Sequence, residues 1–405
     1  MSIDITNIRK DFPILNQNVN GKPLIYFDNA ATSQRPLPVI EKIKEFSVKY
    51  NGNIHRATHF LANKTTEAFE ESRETVRKFV NANESAEIIF THGTTESLNL
   101  VAYSFGKGFV SEGDEVIVTE MEHHSNIVPW QMMCERQGAT LKVLPFDDNG
   151  ELLVDQLDAL ITDKTKIISV AHVSNTLGTI NPIAEIIQIA HKRGVPVSID
   201  GAQGAPHINI DVQALDCDFY SFSGHKIYGP TGIGIMYGKR KWLDQMPPFL
   251  GGGEMISKVT FAKTTYNVIP FKFEAGTPHY VGAIGMAEGI RYLEKNGRAE
   301  LAKYENELSI YATSRLKQIA GLRIYGEALH KSGVISFNIE GIHPFDLGTL
   351  LDQMGIAIRT GRLCADPVMD HFGCESMVRA SFSFYNTPEE VDSFYDALIR
   401  LKAMF

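Results

Sequence analysis

Short runs of apolar and β-branched residues alternate with longer amphipathic stretches over residues 84–237. The longer stretches, such as 97–106 and 183–193, carry apolar residues at helical spacing. This alternation predicts βαβ units, and therefore a mostly parallel sheet covered by helices on both faces. Ligands of such sheets bind at the carboxyl ends of the strands. The predicted strands are EIIFT, EVIVTE, TLKVLPF, KIISVAHV, PVSIDGA, DFYSFS and GIGIMYG.

The pattern changes after residue 237. A Pro-, Gly- and Thr-rich stretch over 251–273 predicts an inserted loop or hairpin. Beyond residue 280, helical patterns over 283–296, 300–319 and 388–404 alternate with the predicted strands GVISFNI, AIRTG and MVRASFSFY. We expect an α/β protein with a large domain over 22–282, and a smaller α+β domain formed by 1–21 and 283–405.

Composition narrows the class of protein. The 39 Lys and Arg against 48 Asp and Glu give a net charge of −9 without a basic block, so nucleic-acid binding has no electrostatic source. No signal-peptide pattern or long apolar run predicts export or a membrane span. The four cysteines form no C-x-x-C pair, which disfavours a disulfide framework or structural zinc. We therefore expect a cytoplasmic protein with neither a nucleic-acid nor a membrane partner.

Lys226 is the strongest candidate for chemistry. It follows a predicted strand in SFSGHKIYGPTGIG, where a Gly-rich turn lets the backbone pass close to a ligand. Lysine forms Schiff bases because its pKa falls readily on desolvation. A solvated surface lysine is the alternative.

Asp200 ends the preceding predicted strand, PVSID. A buried carboxylate needs a cationic partner, and a protonated pyridine nitrogen is such a partner in pyridoxal phosphate (PLP) sites. A helix N-cap or a metal carboxylate is the alternative, although neither explains why Asp200 and Lys226 end successive strands.

A phosphate site and an aromatic partner are also indicated. A strand, a turn at Gly93 and a helix that opens with Thr94 and Thr95 would supply amides and hydroxyls, although an ordinary helix cap explains the pattern equally well. His123 could stack on a pyridine ring. The pairs His123–His124 and His55–His59 could instead suggest a metal, but no third ligand accompanies either, so we expect none.

Together these segments resemble the fold-type I PLP-dependent transferases, and most closely the SUF-type (group II) cysteine desulfurases, a family related to the selenocysteine lyases. The matching segments run nearly end to end: YFDNAATSQRP, NIHRATH, THGTTESLN, EMEHHSNIVPW, HVSNTLGT, DGAQGAPH, SFSGHKIYGPTGIG, GGGEMI, FEAGTPH, RTGRLC and MVRASFSFYNT.

The resemblance implies a role for each matching residue. Lys226 would carry the cofactor and shuttle a proton, Asp200 would hold the pyridinium, and His123 would stack on the ring. Asn175 and Gln203 would bond the side of the ring that bears its oxygen. The phosphate would be held by Thr95, Ser223, His225 and, from a second subunit of a homodimer, Thr277. Arg379 would clamp the substrate carboxylate, with Asn175, Arg359 and His55 also lining the substrate site.

Cys364 would be the nucleophile that takes sulfur as a persulfide. Cys134 and Cys217 sit in apolar stretches and are expected to be inert, while Cys374 is a candidate resolving thiol. Arg362 and Leu363 stand where many family members have two histidines, and we expect the charge of Arg362 to favour a thiolate. The absence of a long insertion beside Cys364 favours the SUF type.

The predicted function is the conversion of L-cysteine to L-alanine with sulfur transfer to Cys364, supplying iron–sulfur cluster assembly through a sulfur-acceptor protein of the SUF system. L-Selenocysteine is a further candidate substrate. The alternatives are a selenocysteine lyase or aminotransferase-like enzyme, which would not need Cys364, and a non-catalytic persulfide carrier, which would not need Asp200, Lys226 or Arg379.

Overall fold

The computed structural model describes residues 4–55 and 58–405. All seven strands expected over 84–237 form. They are Ile88–Thr91 (β1), Glu115–Thr119 (β2), Thr140–Leu144 (β3), Thr165–Ala171 (β4), Val197–Asp200 (β5), Phe219–Ser223 (β6) and Gly234–Gly238 (β7). They make one sheet in the order β1-β7-β6-β5-β4-β2-β3. Only β7 runs against its neighbours, so the predicted mostly parallel α/β sheet is confirmed.

Burial on both faces explains why four of these strands read as nearly continuous apolar runs. Every residue of β1, β5, β6 and β7 is buried. One hydrophobic cluster contains Ile88 and Ile117, and a separate cluster contains Ile89 and Val116. Neighbouring residues of β1 and β2 thus point to opposite faces of the sheet and pack in different clusters.

Helices cover the sheet and build the C-terminal region. The α-helices are Ile5–Arg9, Leu37–Lys49, Phe60–Val80, Thr94–Phe109, Val128–Gln137, Leu157–Leu160, Ile183–Lys192, Val212–Leu215, Arg240–Gln245, Tyr280–Lys295, Arg298–Leu316, Pro344–Gln353, Asp366–Phe372 and Pro388–Lys402. The 3₁₀ helices are Pro13–Asn16, Ser85–Glu87, His124–Asn126, Val154–Gln156, Gly224–Lys226 and Phe271–Phe273.

A second, antiparallel sheet of four strands forms in the C-terminal third. Its strands are Leu322–Tyr325 (β8), Val334–Ile339 (β9), Arg359–Gly361 (β10) and Met377–Ser381 (β11), in the order β8-β9-β11-β10. The strand β8 was not predicted, and the strand expected over AIRTG is split: Ile356–Ala357 pairs with Ile25–Tyr26 instead of joining this sheet. The strand expected over MVRASFSFY ends early, because Ser383 N–H donates to the side chain of Asn386.

The N-terminal segment lies where the large sheet region and the C-terminal third meet. Ile8, Phe12 and Leu15 share a hydrophobic cluster with Tyr228 and Tyr385. Two short strands, Asn18–Val19 and Lys22–Pro23, follow as a hairpin. The domain boundaries near residues 21 and 282 remain predictions. Within 251–273 a hairpin forms between Ile256–Val259 and Thr264–Tyr266.

Across residues 4–55 and 58–405, no helix is both long and apolar enough to cross a membrane. In the same described ranges, no group of three or more His, Cys, Asp or Glu side chains is placed to hold a metal ion.

Candidate active site

One cavity of about 630 Å³ lies at the carboxyl ends of the parallel strands. All of the predicted site residues line it except His55 and Thr277. Strand ends, two turns and the second sheet each contribute. The predicted residues that it brings together are Thr95, His123, Asn175, Asp200, Gln203, Ser223, His225, Lys226, Arg359, Cys364 and Arg379.

Lys226 and Asp200 follow or end adjacent strands, as expected. Lys226 closes the 3₁₀ turn after β6, and desolvation lowers its pKa to about 8 although nearby Asp200 opposes this. Burial raises the pKa of the Asp200 carboxyl, whose Oδ1 accepts a hydrogen bond from Ala202 N–H at 2.9 Å. The amine is thus poised for covalent chemistry near neutral pH.

His123 presents an uncharged ring to the cavity. Desolvation lowers its pKa to about 4, and the positive charge of Lys226 adds to the effect. Its Nδ1 accepts a hydrogen bond from Ser125 N–H at 3.0 Å. Because Nδ1 is the acceptor, the ring proton resides on Nε2.

A cradle of amides and hydroxyls lies at the N-terminus of helix Thr94–Phe109. Both the backbone N–H of Thr94, at 2.8 Å, and its hydroxyl, at 2.7 Å, bond Ser223 Oγ. Gly93 has φ +152°. A Cβ added at Gly234 would lie only 2.6 Å from the Cα of Gly93. Thr94 and Thr95 were both expected to supply donors to a phosphate, but the link that Thr94 makes between the helix and β6 was not predicted.

Arg379 joins the second sheet to the cavity. It is 3% exposed, its Nη1 donates to the Asn175 carbonyl at 2.9 Å, and its Nη2 lies 3.2 Å from Asp28 Oδ1. Its Nε is buried without a hydrogen-bond partner. The exposed Arg359 also binds Asp28, at 2.8 Å. Asp28 lies in the YFDNAATSQRP segment, but its role was not predicted, because its partners are more than 300 residues away along the chain.

Cys364 occupies the short connection between β10 and helix Asp366–Phe372, and its residue is exposed. Both Leu363 and Cys364 have positive φ, at 55° and 54°. Their carbonyls accept hydrogen bonds from Asn175 Nδ2 and His124 N–H respectively, each at 2.8 Å. Asn175, expected beside the cofactor ring, therefore also holds the cysteine loop.

The other predicted residues differ in their surroundings. Gln203 Nε2 donates to the Ala30 carbonyl at 2.7 Å. Arg362 binds the carboxylates of Asp366 and Asp370, so its charge is shared with two acidic groups. That the charge of Arg362 favours a thiolate at Cys364 stays a prediction.

The other cysteines are less accessible. Cys134 and Cys217 are buried, and burial raises the pKa of both thiols, that of Cys134 to about 11. Cys374 is half-buried, and burial raises its pKa also.

His55 and Thr277 lie apart from this cavity. Thr277 lines a second space of about 160 Å³ together with Glu254. His55 Nδ1 is 3.3 Å from Glu254 Oε1, and its bond to Glu70 raises its pKa.

Comparison with known proteins gives a consistent result. The aminotransferase class-V family model matches residues 25–394. The chain is 48% identical over 402 residues to a cysteine desulfurase of Synechococcus elongatus, covering 99% of this chain but 64% of the relative's length. It is 50% identical over 405 residues to a probable cysteine desulfurase of Staphylococcus aureus (strain Mu50), covering 100% of this chain and 98% of the relative. The apo structure of a cysteine desulfurase from Thermococcus onnurineus NA1 matches with a TM-score of 0.95 and 40% identity, covering 100% of this chain and 99% of that one.

The fold and the cavity define a fold-type I PLP enzyme. The chain belongs to the aminotransferase class-V family and, within it, to the cysteine desulfurases.

We predict that Asp28→Asn lowers the free energy of unfolding by about 1–3 kcal/mol, because the buried Arg379 loses its charged partner. Denaturant unfolding measures the change. Asp158→Asn is the matched control, since its ion pair with Arg193 is exposed on both sides and should cost less than about 1 kcal/mol. Equal losses in the two variants would contradict this account of Asp28.

Proposed function

We propose that this cysteine desulfurase converts L-cysteine to L-alanine and transfers the sulfur to Cys364, with PLP held on Lys226. The observation that carries the proposal is one cavity lined by both the desolvated amine of Lys226 and the exposed Cys364. A persulfide carrier without catalysis would need no such amine.

The donor set fits PLP. Asp200 supplies a buried carboxylate for the ring nitrogen, and the neutral His123 supplies a flat ring to stack on. Thr95, Ser223 and His225 line the same cavity beside the N-terminus of helix Thr94–Phe109, whose free amides suit a phosphate. Asn175 and Gln203 would bond the side of the ring that bears its oxygen.

When bound, PLP supplies an electron sink for the substrate's α-carbon. Arg379 then binds the substrate carboxylate, because its buried Nε lacks a protein partner and an Arg fork suits a carboxylate. Arg359 stands at the exposed side of the same cavity, where its charge draws the anionic group inward. Lys226, with its lowered pKa, moves the α-proton.

Cys364 takes the sulfur. Its thiolate attacks the substrate sulfur, so a sulfur–sulfur bond forms while the carbon–sulfur bond breaks and leaves its electron pair with the carbon fragment. Protonation of that carbon completes alanine, and Cys364 retains a persulfide.

The sulfur acceptor must come to Cys364. Only residues 362–365 separate β10 from the following helix, and both carbonyls at Leu363 and Cys364 are hydrogen-bonded to the large-sheet region. Such a short loop cannot carry the persulfide far outward. We therefore favour delivery to a docking sulfur-acceptor protein of the SUF system. The four free cysteines fit a reducing cytoplasmic setting.

A homodimer would explain Thr277 and His55. Both lie outside the chain's own cavity, and Thr277 is exposed. In a two-fold dimer each subunit would offer Thr277 to the other's phosphate and His55 to its substrate approach. We expect light scattering to give twice the 45.1 kDa chain mass for the active enzyme. A fully active monomer at micromolar concentration would refute this arrangement.

We predict that the rate constant for PLP capture by the apo protein rises with pH and levels off above about pH 8. The neutral amine of Lys226 is the attacking group, and its pKa is lowered to about 8 from the ordinary value near 10.5. Stopped-flow absorption measures the rate, and borohydride reduction with peptide mapping identifies the lysine. A rate still rising at pH 10, or a pyridoxyl group on another lysine, would show that the assignment is wrong.

We predict that Cys364→Ser keeps the bound cofactor but lowers desulfuration at least about a hundredfold, because the substrate sulfur has lost its nucleophile. Mass spectrometry after L-cysteine addition should find one added sulfur on the parent's Cys364 peptide and none in the variant. Cys374→Ser is the control and should stay within about threefold of the parent. Retained desulfuration in Cys364→Ser would favour the lyase or aminotransferase function.

A further inference from the structure

Glu122 is a fully buried carboxyl group that the proposed mechanism leaves without a role. Its side chain is 0% exposed, and it precedes His123 directly in the sequence. Burial raises its pKa to about 8, and the negative charge of Asp200 contributes. A buried carboxyl costs stability unless hydrogen bonds compensate, so its surroundings are informative.

Three donors converge on this carboxyl. Oε1 accepts from the Thr119 hydroxyl at 2.5 Å and from Ala171 N–H at 2.8 Å. Oε2 accepts from Asn126 Nδ2 at 2.6 Å. Thr119 ends β2 and Ala171 ends β4, so the side chain ties two parallel strands to the 3₁₀ turn that holds Asn126.

The orientation of Asn126 is fixed from its other side. Its Oδ1 accepts from Trp130 Nε1 at 3.1 Å and from Ser169 Oγ at 2.7 Å. The amide group must therefore point its N–H donors at Glu122. An acceptor is required at position 122, since an amide nitrogen there would face another donor.

The carboxyl also lies between two groups of the cavity. His123 lies in the sequence between Glu122 and Asn126, which are hydrogen-bonded to each other, and its ring Nδ1 accepts from Ser125 N–H. Ala171 is the strand partner of Asp200, and the next N–H, that of His172, donates to the Asp200 carbonyl at 2.8 Å. A shift of Glu122 would thus move His123 and the strand end beside Asp200 together.

We propose that Glu122 is a positioning residue that sets His123 and Asp200 in register across the cofactor ring. The inference rests on the proposed function, because it assigns those two residues to the ring. Glu122 itself does not line the cavity, so it would act only through the residues that it holds.

The test uses Glu122→Gln and the double variant Glu122→Gln with Asn126→Asp in the holoenzyme. In the single variant the new amide nitrogen must face a donor, either Asn126 Nδ2 or Ala171 N–H. The double change restores a donor–acceptor pair, while the new carboxylate still accepts from Trp130 and Ser169. Each protein is assayed for circular dichroism of the visible cofactor band per bound PLP, PLP affinity by equilibrium dialysis, kcat, KM and Tm.

Glu122→Gln should lower the visible circular dichroism and reduce kcat at least about tenfold, with KM for L-cysteine within about threefold because Arg379 is untouched. The double variant should recover kcat to within about threefold of the parent. Should Glu122→Gln fail to fold, Thr119→Val removes one donor and should shift the same signals in the same direction, less strongly.

Asp218→Asn is the matched control. Asp218 is also 0% exposed and hydrogen-bonded, but it accepts from Val197 N–H at the opposite end of β5. The Asp218→Asn variant should have a lower Tm than the parent, with an unchanged cofactor band and an unchanged kcat. Unchanged signals in Glu122→Gln, or no recovery in the double variant, would overturn the inference alone. A parent without a visible PLP band would overturn the proposed function and this inference with it.

Discussion

The removal of water from the carboxyl edge of the large sheet is the constraint on which the site depends. Desolvation lowers the pKa of Lys226 and His123 and raises that of Asp200 and Glu122. One cause therefore produces an amine ready for reaction, an uncharged ring and two costly carboxyls. Each carboxyl keeps its place because backbone or side-chain donors reach it, which is the usual condition for burial.

The second constraint is that the site is complete only when the two sheets are packed together. Arg379 on β11 reaches Asp28 and the Asn175 carbonyl, and the cysteine loop bonds Asn175 and His124. The proposed substrate clamp, Arg379, and the proposed nucleophile, Cys364, thus depend on the same few hydrogen bonds. Under the proposed function, a change that separates the sheets would affect substrate binding and sulfur transfer at once.

The sequence predicted best what depends on local pattern. Most strands of the large sheet are short apolar runs, and β1, β5, β6 and β7 are buried along their whole length, so the sequence pattern reveals them. The strand Leu322–Tyr325 was not predicted because it has only four residues, of which one is exposed and only Tyr325 is fully buried. Motif resemblance predicted the cavity residues, but not Asp28 or Glu122. Asp28 pairs with Arg379, more than 300 residues away, and Glu122 accepts from the N–H of Ala171 on another strand, and no local pattern encodes such contacts.

The same reasoning explains the position of Cys364, the proposed nucleophile. The chain must bring an exposed thiol to a cavity whose other groups are desolvated, and a thiol buried like Cys217 has its pKa raised. The two consecutive residues of positive φ, Leu363 and Cys364, turn the backbone sharply so that their carbonyls meet donors of the large-sheet region. Non-glycine residues rarely adopt this conformation unless surrounding contacts hold it. The hydrogen bonds from Asn175 and His124 therefore hold Cys364 at the cavity while leaving it accessible, which is what a thiol needs in order to take sulfur from one side and release it to a partner on the other.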